Sequence, residues 1–201
     1  ISVTDSIGQT VTQEYKIYYT KAEEGELIGY ATFDIEAITI NCGYIVEPIK
    51  VPIYEGENAA EALVRLIQEN GYDYTNTGTV ESGFYLSAIV GANASRPGSA
   101  TKELNLENAS MNEDLSDLSI EWREGTEGQL GEFDYAQGSG WMYCLNNVFP
   151  NVGFADSYLS DGDVVRVQFT LAYGADIGGG HAMGGDDGVG KIRAVKDDLS
   201  T

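Results

Sequence analysis

Residues 138–167, GSGWMYCLNNVFPNVGFADSYLSDGDVVRV, constrain this chain more than any other stretch. They read as a strand over 141–146, a turn around 147–153, and a short extended piece ending at Tyr158 and Leu159. The hairpin signal Ser160-Asp161-Gly162-Asp163 then precedes a final strand. Asp-Gly between apolar runs specifies a tight turn, because the glycine enters positive φ at little cost. The final strand runs over 164–173 and puts Val165, Val167, Phe169 and Leu171 on one face.

Upstream, residues 1–34 alternate around Val11, Tyr15, Ile17 and Tyr19, and again around Leu27, Ile28, Tyr30 and Phe33. Glu23-Glu24-Gly25-Glu26 lies between, so this part is expected to be a β hairpin or connector. From Ile35 an apolar run leads through Cys42 to Val46, Pro48 marks a turn, and Ile49, Val51 and Ile53 form the next strand. Pro52 lacks a ladder donor and belongs on an edge. Asn58-Ala59-Ala60-Glu61 has the form of a capping box. Apolar residues at 59, 62, 63, 66 and 67 make one helical stripe, and Asn70-Gly71 is the stop, which predicts a helix of about 12 residues.

Residues 72–79 read as polar and turn-rich, and 84–90 as a strand. An acidic insertion over 92–131 has Leu104, Leu106, Leu115, Leu118, Ile120 and Trp122 as its anchors. Leu115, Leu118 and Trp122 fit one short helix. Phe133 and Tyr135 read as a short strand. Beyond Gly178 the chain is Gly-rich; 177–190 reads as linker and 191–201 as the start of a following helix. Strand, strand, helix, strand, strand is an α+β order with one main helix on a mixed sheet.

Eleven Lys and Arg against 32 Asp and Glu leave a net charge of −21, which repels phosphate backbones and anionic lipid and excludes nucleic acid as a partner. No apolar run reaches the roughly 18 residues of a membrane span. The chain has neither a starting Met nor a signal peptide, and reads as a segment whose partners include neighbouring domains of a longer chain. Cys42 and Cys144 either pair, if their strands are neighbours, or are two buried thiols. The sole histidine, His181, sits in the Gly-rich stretch without a second ligand, so neither zinc nor a Ser-His-Asp arrangement follows. The acidic residues read as spread over loops and helix exteriors, and the expectation is a non-enzyme with no metal and no cofactor.

Five segments resemble a known family. They are Val51-Pro-Ile-Tyr-Glu-Gly-Glu with the helix after it, Gly83-Phe-Tyr-Leu-Ser-Ala-Ile, Gly138-Ser-Gly-Trp-Met-Tyr with Leu145-Asn146, Pro150-Asn151 with Gly153, and Tyr158-Leu-Ser-Asp-Gly-Asp-Val-Val. Together they resemble the transcobalamin-like carboxy-terminal domain of Gram-positive surface proteins, related to the β-domain of the B12 carriers transcobalamin and intrinsic factor. The resemblance spans about 35–178. It implies a β-grasp-like fold and an extracellular, cell-surface location. In the carriers this domain covers one face of a corrinoid while a helical barrel holds the other.

Three functions follow from it. The first is a recognition or adhesion module for a small-molecule or surface ligand. The second is a domain for a corrinoid or other planar ligand, acting with a helical partner domain. The third is a structural spacer. Tyr85, Trp141, Tyr143, Asn146, Phe149 and Tyr158 are the candidate ligand contacts, the aromatic ones because flat rings offer large area at low entropy cost.

Overall fold

In the computed structural model, residues 2–16, 21–40, 42–91 and 118–183 are described. The strand that holds the fold together is the one spanning Leu27–Glu36. Preceding it, β1 (Ser2–Thr4) and β2 (Thr10–Thr12) form an exposed hairpin of their own. The central strand is β3 (Leu27–Glu36), followed by β4 (Tyr44–Tyr54), α1 (Ala59–Glu69), β5 (Tyr72–Thr79), β6 (Ser82–Gly91), β7 (Gln129–Gly131), β8 (Gly140–Leu145) and β9 (Val164–Thr170). A mixed four-stranded sheet runs β4-β3-β9-β8 with β3 and β9 parallel, and a three-stranded antiparallel sheet runs β5-β6-β7. The α+β expectation with one main helix is met. The single expected sheet is instead divided, and β3 runs unbroken across residues 34 and 35, where the sequence suggested a division.

The helix forms where its stripe and caps require. Asn58 Oδ1 accepts from the N–H groups of Ala60 (2.9 Å) and Glu61 (3.1 Å), and Glu61 returns a bond to the Asn58 N–H at 2.9 Å. Such a reciprocal cap contributes about 1 kcal/mol. Ala62, Leu63, Leu66 and Ile67 are buried, and the helix packs on β4, β5 and the single turn Phe154–Asp156. One face of the large sheet meets this layer through Phe33, Ile35, Val165, Val167 and Phe169. No helix among the described residues is long and apolar enough to cross a membrane.

The opposite face of that sheet is polar and buried, which the sequence did not suggest. In register across it stand Asp34, Arg166 and Cys144, then Glu36, Gln168 and Met142. Arg166 Nη2 donates to Glu36 Oε1 at 2.8 Å, its Nε lies 3.9 Å from Asp34 Oδ2, and Gln168 Nε2 donates to Glu36 Oε1 at 2.6 Å. Burial pushes the guanidinium pKa down, but Glu36 and Asp34 outweigh it, and the net shift is upward. The expectation that the acids occupy loops and helix exteriors is therefore corrected. Asp34 and Glu36 are held inside by a paired cation, and Asp134 and Asp176 are buried by peptide N–H donors.

The Asp-Gly turn forms, with Gly162 at φ +87° and Asp163 N–H on Ser160 O (3.1 Å), yet it closes no hairpin. It docks on β3 instead. Asp161 Oδ1 accepts the Tyr30 N–H (2.9 Å), the Gly162 N–H reaches Tyr30 O (2.9 Å), and Asp163 O accepts from Thr32 (2.7 Å). The motif thereby sets the parallel register of β9 on β3. Gly29, at φ +156°, makes the approach possible, because a Cβ there would lie 2.5 Å from Asp161 Cβ. Gly29→Ala is expected to cost about 2–3 kcal/mol in urea unfolding, from strain at positive φ and the collision. A loss within about 0.5 kcal/mol would refute that role.

Further sequence expectations are corrected. β4 runs through Pro48 rather than turning there. The reversal lies earlier, at the turn Ile38–Ile40 and Gly43 (φ +65°), and β4 tolerates Pro48 and Pro52 because it is an edge strand. Residues 72–79 are a strand, polar because nearly all of it faces solvent. The 1–34 hairpin is made by Ser2–Thr4 with Thr10–Thr12, whereas Leu27 to Phe33 join the main sheet; Ile17 and Tyr19 lie outside the described residues. Phe133 (φ 65°) and Tyr135 (φ 68°) are left-handed turn residues, held by Asp134 accepting from Thr126 and Gly131 (2.7 Å each), and β7 takes the expected strand's place. Leu118 and Trp122 lie in no helix, since Trp122 bridges Ala136; Leu115 lies outside the described residues. Ile177 is core rather than linker. Asp176 anchors its turn by accepting from the Leu171 N–H at 2.7 Å and the Thr170 hydroxyl. The backbone of His181 sits in a short turn, Gly180–Met183, and 184–201 lie outside the described residues.

Cys42 and Cys144 are free thiols. The condition for pairing fails because Cys144 is on β8, separated by β9 from β3 and the loop that carries Cys42. Cys144 Sγ donates to Gln168 Oε1 (3.6 Å) and Cys42 Sγ to Ile40 O (3.6 Å), and burial pushes both thiols up to about 11. Iodoacetamide at pH 8 is expected to leave Cys144 unmodified in the native protein and to alkylate both cysteines in urea. Rapid native labelling of Cys144 by mass spectrometry would contradict its burial.

Candidate functional site

β8 is the last strand of its sheet among the described residues, and its outer edge borders a cavity of 290 Å³. Its walls are Phe84 and Tyr85 from β6, the β8 segment Trp141 to Tyr143, the loop 150–154, and Ala182. Trp141 and Tyr143 share a face, as residues two apart on a regular strand must, and no bulge separates them. They are only 5 % and 7 % exposed, so what each offers the cavity is a small part of its surface. Each uses its polar end to fix the frame. Trp141 Nε1 donates to Leu130 O at 2.9 Å, tying β8 to β7. The Tyr143 hydroxyl pairs with Ser157 Oγ (2.6 Å) and lies 3.0 Å from Val152 O, holding the loop that closes one wall.

The aromatic frame is continuous. Tyr143 stacks on Phe154 with centroids 4.0 Å apart, Phe154 meets Phe84 edge-on at 6.3 Å, and Trp141 meets Phe169 edge-on at 5.2 Å. Such pairs add about 0.5–1.5 kcal/mol each beyond area burial. Tyr85 is the half-open member. Burial and then Glu132, which is hydrogen-bonded to it, push its phenol up to about 12, so it stays a neutral donor. Burial likewise raises the Tyr143 phenol. Carboxylates therefore stand at two flanks, Glu132 beside Tyr85 and Asp156 beside Tyr143, and among the described residues no Lys or Arg lines the cavity.

Of the six sequence candidates, Tyr85, Trp141 and Tyr143 come together here. Phe149 is next to this wall, packed where a Cβ on Gly179 would meet its ring at 2.7 Å. Asn146 does not join them. At φ 52°, with Asn147 at φ 64°, it forms the tight turn from Leu145 to Val148. Its amide bonds Asp163 Oδ1 (2.8 Å) and the Val164 N–H (2.9 Å). Tyr158 stands elsewhere, 66 % exposed, where its backbone bridges Asn58. Sequence reasoning missed Phe84, Val152 and Phe154. Phe84 alternates with Tyr85 on β6, but no local signal marks a loop valine as a cavity wall.

No curated protein matches this chain. Residues 125–171, which carry β7, β8, β9 and the loop walling the cavity, match the model of a Domain of unknown function (DUF4430), one of the transcobalamin-like families.

Proposed function

We propose that this chain is a non-catalytic recognition module that takes a small apolar or aromatic group into the cavity between β6, β8 and the 150–154 loop. The observation that carries the reading is a preformed aromatic cavity in which Trp141 and Tyr143 spend their polar groups on the protein itself. What they leave for an occupant is ring surface, and such sites bind with little reorganisation. At 290 Å³ the cavity stands at the small end of ligand sites. A corrinoid would enter it only with a peripheral substituent, and a cell-surface setting rests on the resemblance alone.

The experiment is a titration of the Trp122→Phe protein, in which Trp141 is the remaining tryptophan, with p-cresol, indole, cobinamide and cobalamin. Saturable fluorescence change with one of the small aromatics, at a Kd of about 1 mM or tighter, is the expected result. Val152→Trp, which crowds the cavity from a half-exposed wall position, should weaken it about tenfold or more. Silence of every probe to about 10 mM removes the reading. Submicromolar cobinamide binding with silent small aromatics would replace it with the corrinoid one.

A further inference from the structure

Among the described residues, no strand pairs with the outer edge of β8 where it bounds the cavity. Asn146 donates its N–H to Val164 O across the β8–β9 ladder at 2.8 Å. In an antiparallel pair the peptide groups alternate sides, so Cys144, Met142 and Gly140 also turn theirs toward β9. Leu145, Tyr143 and Trp141 turn theirs the other way, and the Leu145 N–H is found there, on Val148 O at 2.9 Å. The parity of β9 agrees. Asp163 O accepts from Thr32 at 2.7 Å and Phe169 O from Thr39 Oγ1 at 2.7 Å, so odd-numbered residues of β9 serve β3 and even-numbered ones serve β8. β8 is the last strand of its sheet, and among the described residues no peptide carbonyl accepts the N–H of Trp141 or Tyr143. Both residues line the cavity, together with Met142 between them.

We infer that the occupant is an extended peptide, which pairs with the Trp141–Tyr143 edge of β8 as an added strand and places one apolar side chain in the aromatic cavity. The inference rests on the cavity as the binding site and adds the class of ligand. Two outward residues two positions apart present two N–H and two C=O groups over roughly 7 Å, which three consecutive ligand residues can meet. Backbone pairing of this kind supplies affinity, and the pocket for the alternate side chain supplies selectivity. β4, the other edge of the sheet, lacks this capacity: Pro48 and Pro52 remove donors, and Arg65 Nη2 occupies Pro52 O. The flanking carboxylates Glu132 and Asp156, in a chain of net charge −21, favour basic residues on either side of the apolar one.

Amide hydrogen exchange on the full 201-residue chain tests the edge first. The Trp141 and Tyr143 amides should exchange about 100-fold faster than those of Met142 and Cys144, an i, i+2 alternation that a covered edge would not give. The binding probe is a pool of acetylated, amidated pentapeptides Lys-Val-X-Val-Lys with X as Phe, Tyr, Leu or Met. Saturation should protect Trp141 and Tyr143. N-methylation at peptide positions of one parity should cost about tenfold or more in affinity and at the other parity nothing. Equal binding of all methylated forms, or prior protection of both amides, overturns strand addition. Binding of p-cresol without binding of the peptides overturns it too while the cavity reading stands. Silence of both probes removes the cavity reading itself.

Discussion

Replacing Arg166 by Met is expected to lower unfolding stability by about 3–5 kcal/mol, among the largest single-residue effects in the chain. The guanidinium is 3 % exposed and answers two carboxylates, Glu36 at 1 % and Asp34 at 7 %. Removing it leaves those carboxylates inside without a counter-charge, and the desolvation they already bear is then uncompensated. Two consequences separate this cause from simple loss of packing. Acidification should shrink the deficit, because protonation removes the stranded charge. The triple variant Asp34→Asn, Glu36→Gln, Arg166→Met should recover to within about 1 kcal/mol of the parent, since removing every charge removes the penalty. Urea unfolding with an unchanged m value measures both. A triple variant as unstable as the single one would show that shape, rather than charge, governs this face.

Trp141→Ala is expected to cost about 4–5 kcal/mol. Truncating a buried aromatic ring opens a void beside Phe169, and Leu130 O loses the indole N–H that ties β8 to β7. Because the residue joins the two sheets, loss of ligand binding in that variant would report unfolding as readily as a missing contact. Trp141→Phe keeps most of the ring and should cost only about 1–2 kcal/mol, chiefly through the unanswered carbonyl. It is therefore the variant in which a loss of binding, followed by calorimetry, reports the indole rather than unfolding. A folded, fully stable Trp141→Ala would contradict the role assigned to the indole.

What the sequence disclosed, it disclosed through local rules. The Asn58 capping box, the stripe from Ala59 to Ile67 and the stop at Gly71 are all satisfied within one segment, and the helix follows them. The turn at Asp161-Gly162 was legible for the same reason. Its destination was not, because the bonds from Asp161 and Gly162 to Tyr30 join residues 131 and 132 positions apart and depend on a glycine at position 29. Phe133 and Tyr135 looked like a strand because alternation is blind to φ, and the carboxylate of Asp134 turns the backbone there. For the candidate site, Tyr85, Trp141 and Tyr143 were legible as aromatic residues on strands. Their burial, and the partnership with Phe154 and Val152, were not.

By itself the sequence determined the α+β class, the helix, the edge character of the strand with Pro52, and the turns at Gly71 and Asp161-Gly162, because propensity, periodicity and capping act over a few neighbouring residues. The tertiary structure alone decided that the strands after the first hairpin divide into two sheets, that Arg166 meets Glu36 and Asp34 on a buried face, that the cysteines stay apart, and that β8, the last strand of its sheet among the described residues, borders a cavity. Each of these depends on which strands become neighbours, and that pairing is set by long-range burial and register.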